Sequence, residues 1–442
     1  MLCLIKLVIG LLCLNLTRAL SQKHEIEHAL VLYDPELIPL NETAPSLPPD
    51  VAKFINFLSS KFETAYADYN DEEVSLFYQG SLRFDHLVLF PSSKKAIKNK
   101  SNLNQRQLLK FSNEGGNIFV VGGSNNALVD GIRSFLNEVG IHPAPKNYHY
   151  IDHFNSKDGI VELTEEENLV EGNRILTSLQ TSEFSGGSAA LVSNSELIQP
   201  IVKCSKTGYT NRVDEVISGE TTWTFGEQGF LAVALQALNN ARLVWIGSTD
   251  LLADDSLYKW AFQESGVIKL QFVQYVKASE PYIPEPQLWK IKDQAIYTIG
   301  VSEYVNGEWV PYKVKQDDEQ LQLSFKMLDP YQRLNLKPLG PVSSTENGTT
   351  LDTYAYFANF TIPDHHGMFT FELDYKRKGL SYILDKKVVT VRHLANDEFK
   401  RSWDITNSWL YIASTVFVIV AWYFFVMTYI YVGKSNTAKK NV

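Results

Sequence analysis

His149 and His153 stand four residues apart with Asp152 between them, a spacing that on a helix would aim two imidazoles at one metal ion. Pro143 and Pro145 precede them, however, and the run reads as extended, which separates residues i and i+4 by about 13 Å. It is therefore not read as a metal site. Asp364, His365 and His366 form a second titratable cluster, but Pro363 and Gly367 flank it and its composition is that of a solvated turn. Gly122-Gly123 follows an apolar run and could bring backbone N–H groups to a phosphate, or simply make a tight turn. The chain has no Gly-x-Gly-x-x-Gly, no Walker lysine, no His-Glu-x-x-His and no Gly-x-Ser-x-Gly. Ser188, after Gly186-Gly187, has no recognisable base, and Cys204 in VKCSKTG has no neighbouring His. The expectation is a chain with no catalytic set, no metal ligands and no cofactor.

The elements that position these residues follow from periodicity. Ala29 to Tyr33, His86 to Phe90 and Asn117 to Val121 are short, fully apolar runs suited to buried parallel strands. Between and after them, helical spacing appears at Val51, Phe54, Ile55, Leu58 and Phe62, from Leu103 to Phe111, and from Ala127 to Val139. Gly115-Gly116 and Gly140 stop the last two of these helices. The segment from Pro35 to Pro49 carries five prolines and reads as a loop. This alternation predicts a doubly wound, Rossmann-like α/β region over residues 20–277. It includes apolar runs at Phe230–Gln236 and Arg242–Ile246, a short helix at Leu257–Glu264, and a weaker stretch from Asp152 to Gly229 that could form a second lobe.

A proline-rich linker is expected at 278–289 (ASEPYIPEPQLW). Eight short alternating runs follow: Ala295–Glu303, Trp309–Val314, Leu321–Lys326, Arg333–Leu336, Thr353–Phe357, Met368–Leu373, Leu380–Leu384 and Val388–Val391. They predict an all-β sandwich over 290–395, then a juxtamembrane segment, 396–408. Trp409 to Val432 is 24 residues without a charge, long enough to span a bilayer core of about 30 Å as a helix. Residues 1–19 have a basic start at Lys6, a short apolar run and small residues at Thr17 and Ala19, the pattern of a secretory signal peptide.

The tail, 433–442, carries Lys434, Lys439 and Lys440 and no acidic residue, which predicts a cytosolic C-terminus and a lumenal N-terminus. Lys439 and Lys440, fourth and third from the end, have the form of a dilysine retrieval signal to the endoplasmic reticulum. The net charge of −9 shows no basic stripe, which argues against nucleic acid as a partner. Cys3 and Cys13 lie in the leader, so the mature chain holds Cys204 alone and no internal disulfide. Sequons at Asn41, Asn99, Asn347 and Asn359 are candidate glycosylation sites of a lumenal region. In the span, Ala413, Ser414 and Ala421 are small enough to admit a second helix.

Several stretches together carry a resemblance. ALVLYD (29–34), NEGGNIFV (113–120), FLNEVGIHPAPK (135–146), LNNARLVWIGS (238–248), DPYQRL (329–334), PDHHGMFTFELDYKRKGLSY (363–382) and HLANDEFKRSWDITNSW (393–409) resemble one family. It is the non-catalytic forty-eight-kilodalton, wheat-germ-agglutinin-binding-protein type subunit of eukaryotic oligosaccharyltransferase, in a fungal version. The resemblance implies an accessory subunit of the complex that moves a glycan from dolichyl diphosphate to Asn, with the active site on a polytopic subunit. It further implies a ribophorin II-type and a small defender-against-death-type subunit as partners, and a part for the α/β region in holding the dolichol-linked glycan. Ser402-Trp403-Asp404 is not the Trp-Trp-Asp signature of the catalytic subunit. The readings that compete with it are a lumenal glycan-processing enzyme and a glycan-binding quality-control receptor.

Overall fold

A computed structural model describes residues 27–38, 47–71, 73–99, 101–157, 159–212, 214–305, 307–314, 320–346, 349–399 and 407–432. The expected signal peptide, most of the proline loop, the sequons at Asn41 and Asn347, and the tail with Lys439 and Lys440 lie outside these residues.

The first body is a nine-stranded mixed sheet. Its strands are β1 (His28–Tyr33), β2 (Glu63–Asp68), β3 (His86–Leu89), β4 (Asn117–Val121), β5 (Ile141–Pro143), β6 (Ala190–Val192), β7 (Ile198–Lys203), β8 (Phe230–Gln236) and β9 (Arg242–Ile246). The order is β2-β1-β3-β4-β9-β8-β6-β5, with β7 also paired to β8. The half from β2 to β9 is parallel, and the half beyond β9 is antiparallel. Alternate residues of ALVLY enter different cores: Ala29, Val31 and Tyr33 face one layer, Leu30 and Leu32 the other. Both faces must therefore be covered. Helix α1 (Pro49–Lys61) and helix α4 (Asp255–Ala261) cover the first, while α2 (Gln105–Asn113) and α3 (Asp130–Val139) cover the second.

Local chemistry sets the helix ends. Pro49, expected in the loop, is the first residue of α1, where a missing N–H costs nothing, and Phe62 lies just past its end. Asn104 caps α2 by accepting from the Gln107 N–H. Helix α3 begins three residues later than its apolar pattern because Ala127 exchanges backbone hydrogen bonds with Ser92. It ends on Gly140, whose φ of 93° admits the left-handed cap. Two features escape the sequence reading: β2, an edge strand with little apolar content, and the antiparallel half of the sheet.

The second body consists of two five-stranded sheets that share one core. One has the order β10 (Val267–Lys277), β12 (Gln294–Val305), β17 (Thr349–Thr361), β16 (Lys337–Glu346), with β13 (Glu308–Pro311) also on β12. The other runs β11 (Leu288–Lys290), β19 (Ile383–Arg392), β18 (Gly367–Tyr375), β14 (Gln322–Lys326), β15 (Pro330–Asn335). The runs expected as Leu380–Leu384 and Val388–Val391 fall within one region, where a single strand, β19, starts at Ile383.

Three strands of this body differ from the sequence expectation. β10 falls within the range expected of the α/β region, yet it pairs along its length with β12. β11 ends the proline-rich segment, and its Trp289 is fully buried. β16 holds Pro338, Gly340 and Pro341 and reads as loop; it is an edge strand, the position at which a sheet tolerates proline. Helix α5 (Ser408–Val432) follows, with none of Ser408–Tyr431 buried, and is long and apolar enough to cross a membrane.

Candidate functional site

Two places concentrate polar chemistry: the carboxyl ends of the parallel strands, and the joint between the two bodies. At the first, β1 pairs with β2 on one side and β3 on the other, and β3 with β4, so the connections leaving β1 and β3 run in opposite directions along the sheet. An open α/β sheet binds ligands in the crevice this reversal creates. Here Asp34 fills it. Its carboxylate accepts from Ser92 Oγ (3.1 Å), Ser93 N (2.8 Å), Ser93 Oγ (2.6 Å) and Glu36 N (3.1 Å). Lys146 Nζ donates to the Ser93 carbonyl at 3.1 Å. Burial opposes the charge on Asp34, but the serine and backbone donors outweigh it and hold the carboxyl below the usual range.

A charged carboxylate that has consumed the nearby donors repels a phosphate instead of cradling one. The crevice is a closed structural lock, and it does not fit a nucleotide. Asp34→Asn is expected to cost about 2 kcal/mol at neutral pH, since an amide nitrogen would face donors. Because the native pKa is depressed, the stabilisation is present above the unfolded value of about 4 and is lost as pH falls through the native value. Urea midpoints of wild type and Asp34→Asn should therefore converge on acidification; parallel curves would refute the assignment.

The glycine pair also serves packing. Gly122 N donates to the Ile246 carbonyl at 2.7 Å, and a Cβ there would lie 3.0 Å from that oxygen and 3.3 Å from the Trp245 ring. Ser124 N and Oγ both donate to the Gly186 carbonyl. Ser188 is buried and its N–H donates to the Gly247 carbonyl. These glycines let backbones cross closely.

His149 and His153 have separate partners. His149 lies on the strand Tyr148–Ile151 opposite Asn211, in the extended backbone expected of it, and burial lowers its pKa. His153 Nε2 meets Tyr209 Oη at 2.8 Å. Asp152 is buried beneath them; Thr207, Phe154 and Asn155 donate to it. Asp364 pairs with Lys292 at 2.7 Å, and the His366 and His393 rings lie 3.6 Å apart. Among the described residues, no three of His, Cys, Asp and Glu are grouped to hold a metal ion. Cys204 is fully buried, and that burial pushes its thiol pKa far up, which leaves it inert.

At the joint, Arg242 at the start of β9 is buried and, among the described residues, has no carboxylate partner. Its Nη1 donates to the Trp260 and Ser265 carbonyls (2.8 and 2.7 Å), and its Nη2 to the Gly266 carbonyl and Ser381 Oγ (2.8 and 3.2 Å). The guanidinium also lies over the Trp260 ring, 4.5 Å from its centroid. Burial lowers the guanidinium pKa to about 9, which keeps it charged at neutral pH. Around it, Trp260 Nε1 donates to the Gly379 carbonyl, Gln236 Nε2 to the Leu380 carbonyl, and Asn240 bonds both the N–H and the carbonyl of Tyr382. Gly266 and Gly379 take φ of 64° and 81°, and a Cβ on Gly266 would stand 2.4 Å from the Gly379 oxygen. Two of the stretches that carry the resemblance, LNNARLVWIGS and the KGLSY end of another, meet here. Sequence reading passed over Arg242; its one signal was an arginine opening an otherwise apolar strand.

Of the sequons, two are described. Asn99 is buried, and its Nδ2 donates to the Asp71 and Val74 carbonyls at 2.7 and 3.0 Å, so its amide is committed to the interior. Asn359 is exposed on β17. Glycosidase treatment should shift the mobility of wild type and Asn99→Gln alike, and Asn359→Gln should lose one glycan's shift. A loss caused by Asn99→Gln would contradict the buried geometry. In α5, Ala413, Ser414 and Ala421 sit on an open helix surface; Ser414 Oγ is bonded to the Tyr411 carbonyl at 2.8 Å and is already satisfied within its own helix.

Fold and site define a class: two β-rich bodies locked by a buried arginine joint and carried on one C-terminal apolar helix. Within that class the chain belongs to the OST48 family. The OST48 N-terminal domain matches residues 19–274 and the OST48 middle domain residues 275–433. The chain is 39% identical to dolichyl-diphosphooligosaccharide–protein glycosyltransferase subunit WBP1 of Saccharomyces cerevisiae, over 94% of this chain and 93% of that one. The wbp1 subunit of Schizosaccharomyces pombe is 30% identical over 85% of this chain and 88% of its own. The 48 kDa subunit of Drosophila melanogaster is 26% identical over 77% and 79%.

Proposed function

We propose that this chain is an accessory subunit of the oligosaccharyltransferase complex of the endoplasmic reticulum membrane, and that it acts through assembly. The observation that carries this is the match along nearly its whole length to subunits so named in two yeasts. The rigid lock between the bodies supports a scaffold, because a joint held by a fully buried arginine transmits position without flexing. In this reading the active site lies on a polytopic subunit, and ribophorin II-type and defender-against-death-type subunits are neighbours. The first body is Rossmann-like and contributes to positioning the dolichol-linked glycan; the second is a β-sandwich. The chain is type I, with a signal peptide at 1–19 and retrieval through Lys439 and Lys440.

Helix α5 is the docking element for other helices, at Ala413, Ser414 and Ala421. Affinity purification of the tagged full chain from digitonin extract should recover a polytopic glycosyltransferase subunit. Ala413→Leu with Ala421→Leu should lower that recovery several-fold while leaving the protein membrane-bound. A lone chain in the eluate, or glycan turnover by the purified protein itself, would sink the proposal.

A further inference from the structure

We propose that the end of the second body farthest from the first rests on the lipid surface, with the turn Met327-Leu328-Asp329 in the headgroup layer. Strand directions place one set of termini together. β14 runs antiparallel to β18, and β18 to β19, so the 327–329 turn, Gly367–Met368 and Val391–Arg392 lie at one end. The joint with the first body, at Gly379 to Tyr382, lies at the other. The 278–287 loop leaves β10 at Lys277, opposite Ala295, and so belongs to the same outer end.

That end is apolar and open. Leu328 is 92% exposed, Tyr282 78% and Met368 65%, and Ile283, Met327 and Tyr331 are also exposed. A Cβ on Gly367 would lie 3.4 Å from Met327 Cε, and the Tyr331 ring lies 5.2 Å from His365 and 5.4 Å from Phe369, so the turn and the start of β18 form one patch. A clustered patch of this kind needs a cover.

The chain itself says what that cover is. After β19, Glu398 is held by Arg392 (2.8 Å), by Lys290 (2.5 Å) and by the Ala395 N–H (2.9 Å), so the backbone stays at this end as far as residue 398. Only residues 399–407 then separate it from α5, which begins at Ser408. Nine residues reach at most about 30 Å fully extended. The apolar end is tethered within that distance of the bilayer and on the side from which the helix enters. Leu and Tyr are side chains that partition into an interface.

The test is depth-dependent quenching on the full chain in phosphatidylcholine proteoliposomes. Leu328→Cys and, as a control in the first body, Val216→Cys are labelled with bimane, with Cys3→Ser and Cys13→Ser in both; Cys204 is buried and stays unlabelled. Lipids with a headgroup nitroxide should remove about half or more of the Leu328→Cys emission and leave Val216→Cys bright. Quenching of Leu328→Cys by aqueous iodide alone overturns the proposal. Resistance to both quenchers overturns it as well, and assigns the patch to a protein contact.

Discussion

Arg242→Met is expected to destabilise the protein by about 3–5 kcal/mol, the largest effect of any single polar substitution proposed for this chain. The guanidinium serves four acceptors, and they do not all lose equally. The Gly266 carbonyl keeps the Ser381 N–H, and the Trp260 carbonyl keeps the Gln263 N–H. The Ser265 carbonyl is left without its 2.7 Å donor in a half-buried setting, and the stacking on Trp260 goes too. Replacing two of four losses explains why the cost is not the sum of four bonds. Arg242→Lys keeps the charge but cannot fork to both carbonyl sets, and a smaller loss of about 2 kcal/mol is expected. Pulse proteolysis of the full chain in urea measures both. The joint should also become a cleavage site, between the last helix of the first body and β10. A Met variant within about 1 kcal/mol of wild type would mean that the arginine is incidental to the joint.

Phe371→Ala is the second, at about 3–5 kcal/mol. Phe371 is fully buried on β18 and touches five rings. Trp289 and Phe325 belong to its own sheet, at 6.0 and 5.0 Å between centroids. Tyr275, Tyr297 and Phe360 come from the facing sheet, at 5.2, 5.7 and 6.2 Å. Because it bridges the two sheets, its removal opens a cavity that neither sheet can close alone. Phe371→Leu retains part of the volume and should lose only about 1–2 kcal/mol. The readout is the same urea midpoint, and recovery of the chain in the membrane should fall with it. An alanine variant as stable as the leucine one would show that filling the space between the sheets adds nothing.

The two effects differ in kind. Phe371 supplies burial and ring contacts, whose loss scales with the volume removed. Arg242 supplies hydrogen bonds to the main-chain carbonyls of Trp260, Ser265 and Gly266 and to Ser381 Oγ of the second body, and its loss depends on which acceptors find another donor. Accordingly, Phe371→Ala should loosen the second body alone, whereas Arg242→Met should let the first and second bodies separate while each keeps its own core.

What was legible from residues alone is what short-range physics decides. The run ALVLY had to be a two-faced buried strand, because five consecutive apolar residues alternate into two cores. The strand at 117–121, the pair 230–236 and 242–246, and the left-handed stop at Gly140 follow equally from pattern and turn chemistry. The uncharged run before the tail had to be a helix, since only a helix satisfies its own backbone in lipid. Family membership, too, was legible, because long stretches in order survive without any knowledge of the fold.

Tertiary structure decided the rest. Edge strands such as β2 and β16 carry weak or proline-broken patterns, because an edge needs only one hydrogen-bonded side and little burial. Whether Asn99 is a surface sequon or an interior amide depends on carbonyls 25 and 28 residues away, which no local motif encodes. Asp34 became a lock rather than a ligand because Ser92 and Ser93 arrive beside it from the next strand's end. Arg242 found its role only when residues 139 positions further on folded back against it. Partners so distant in sequence are chosen by packing, and packing is settled only when all the layers close together.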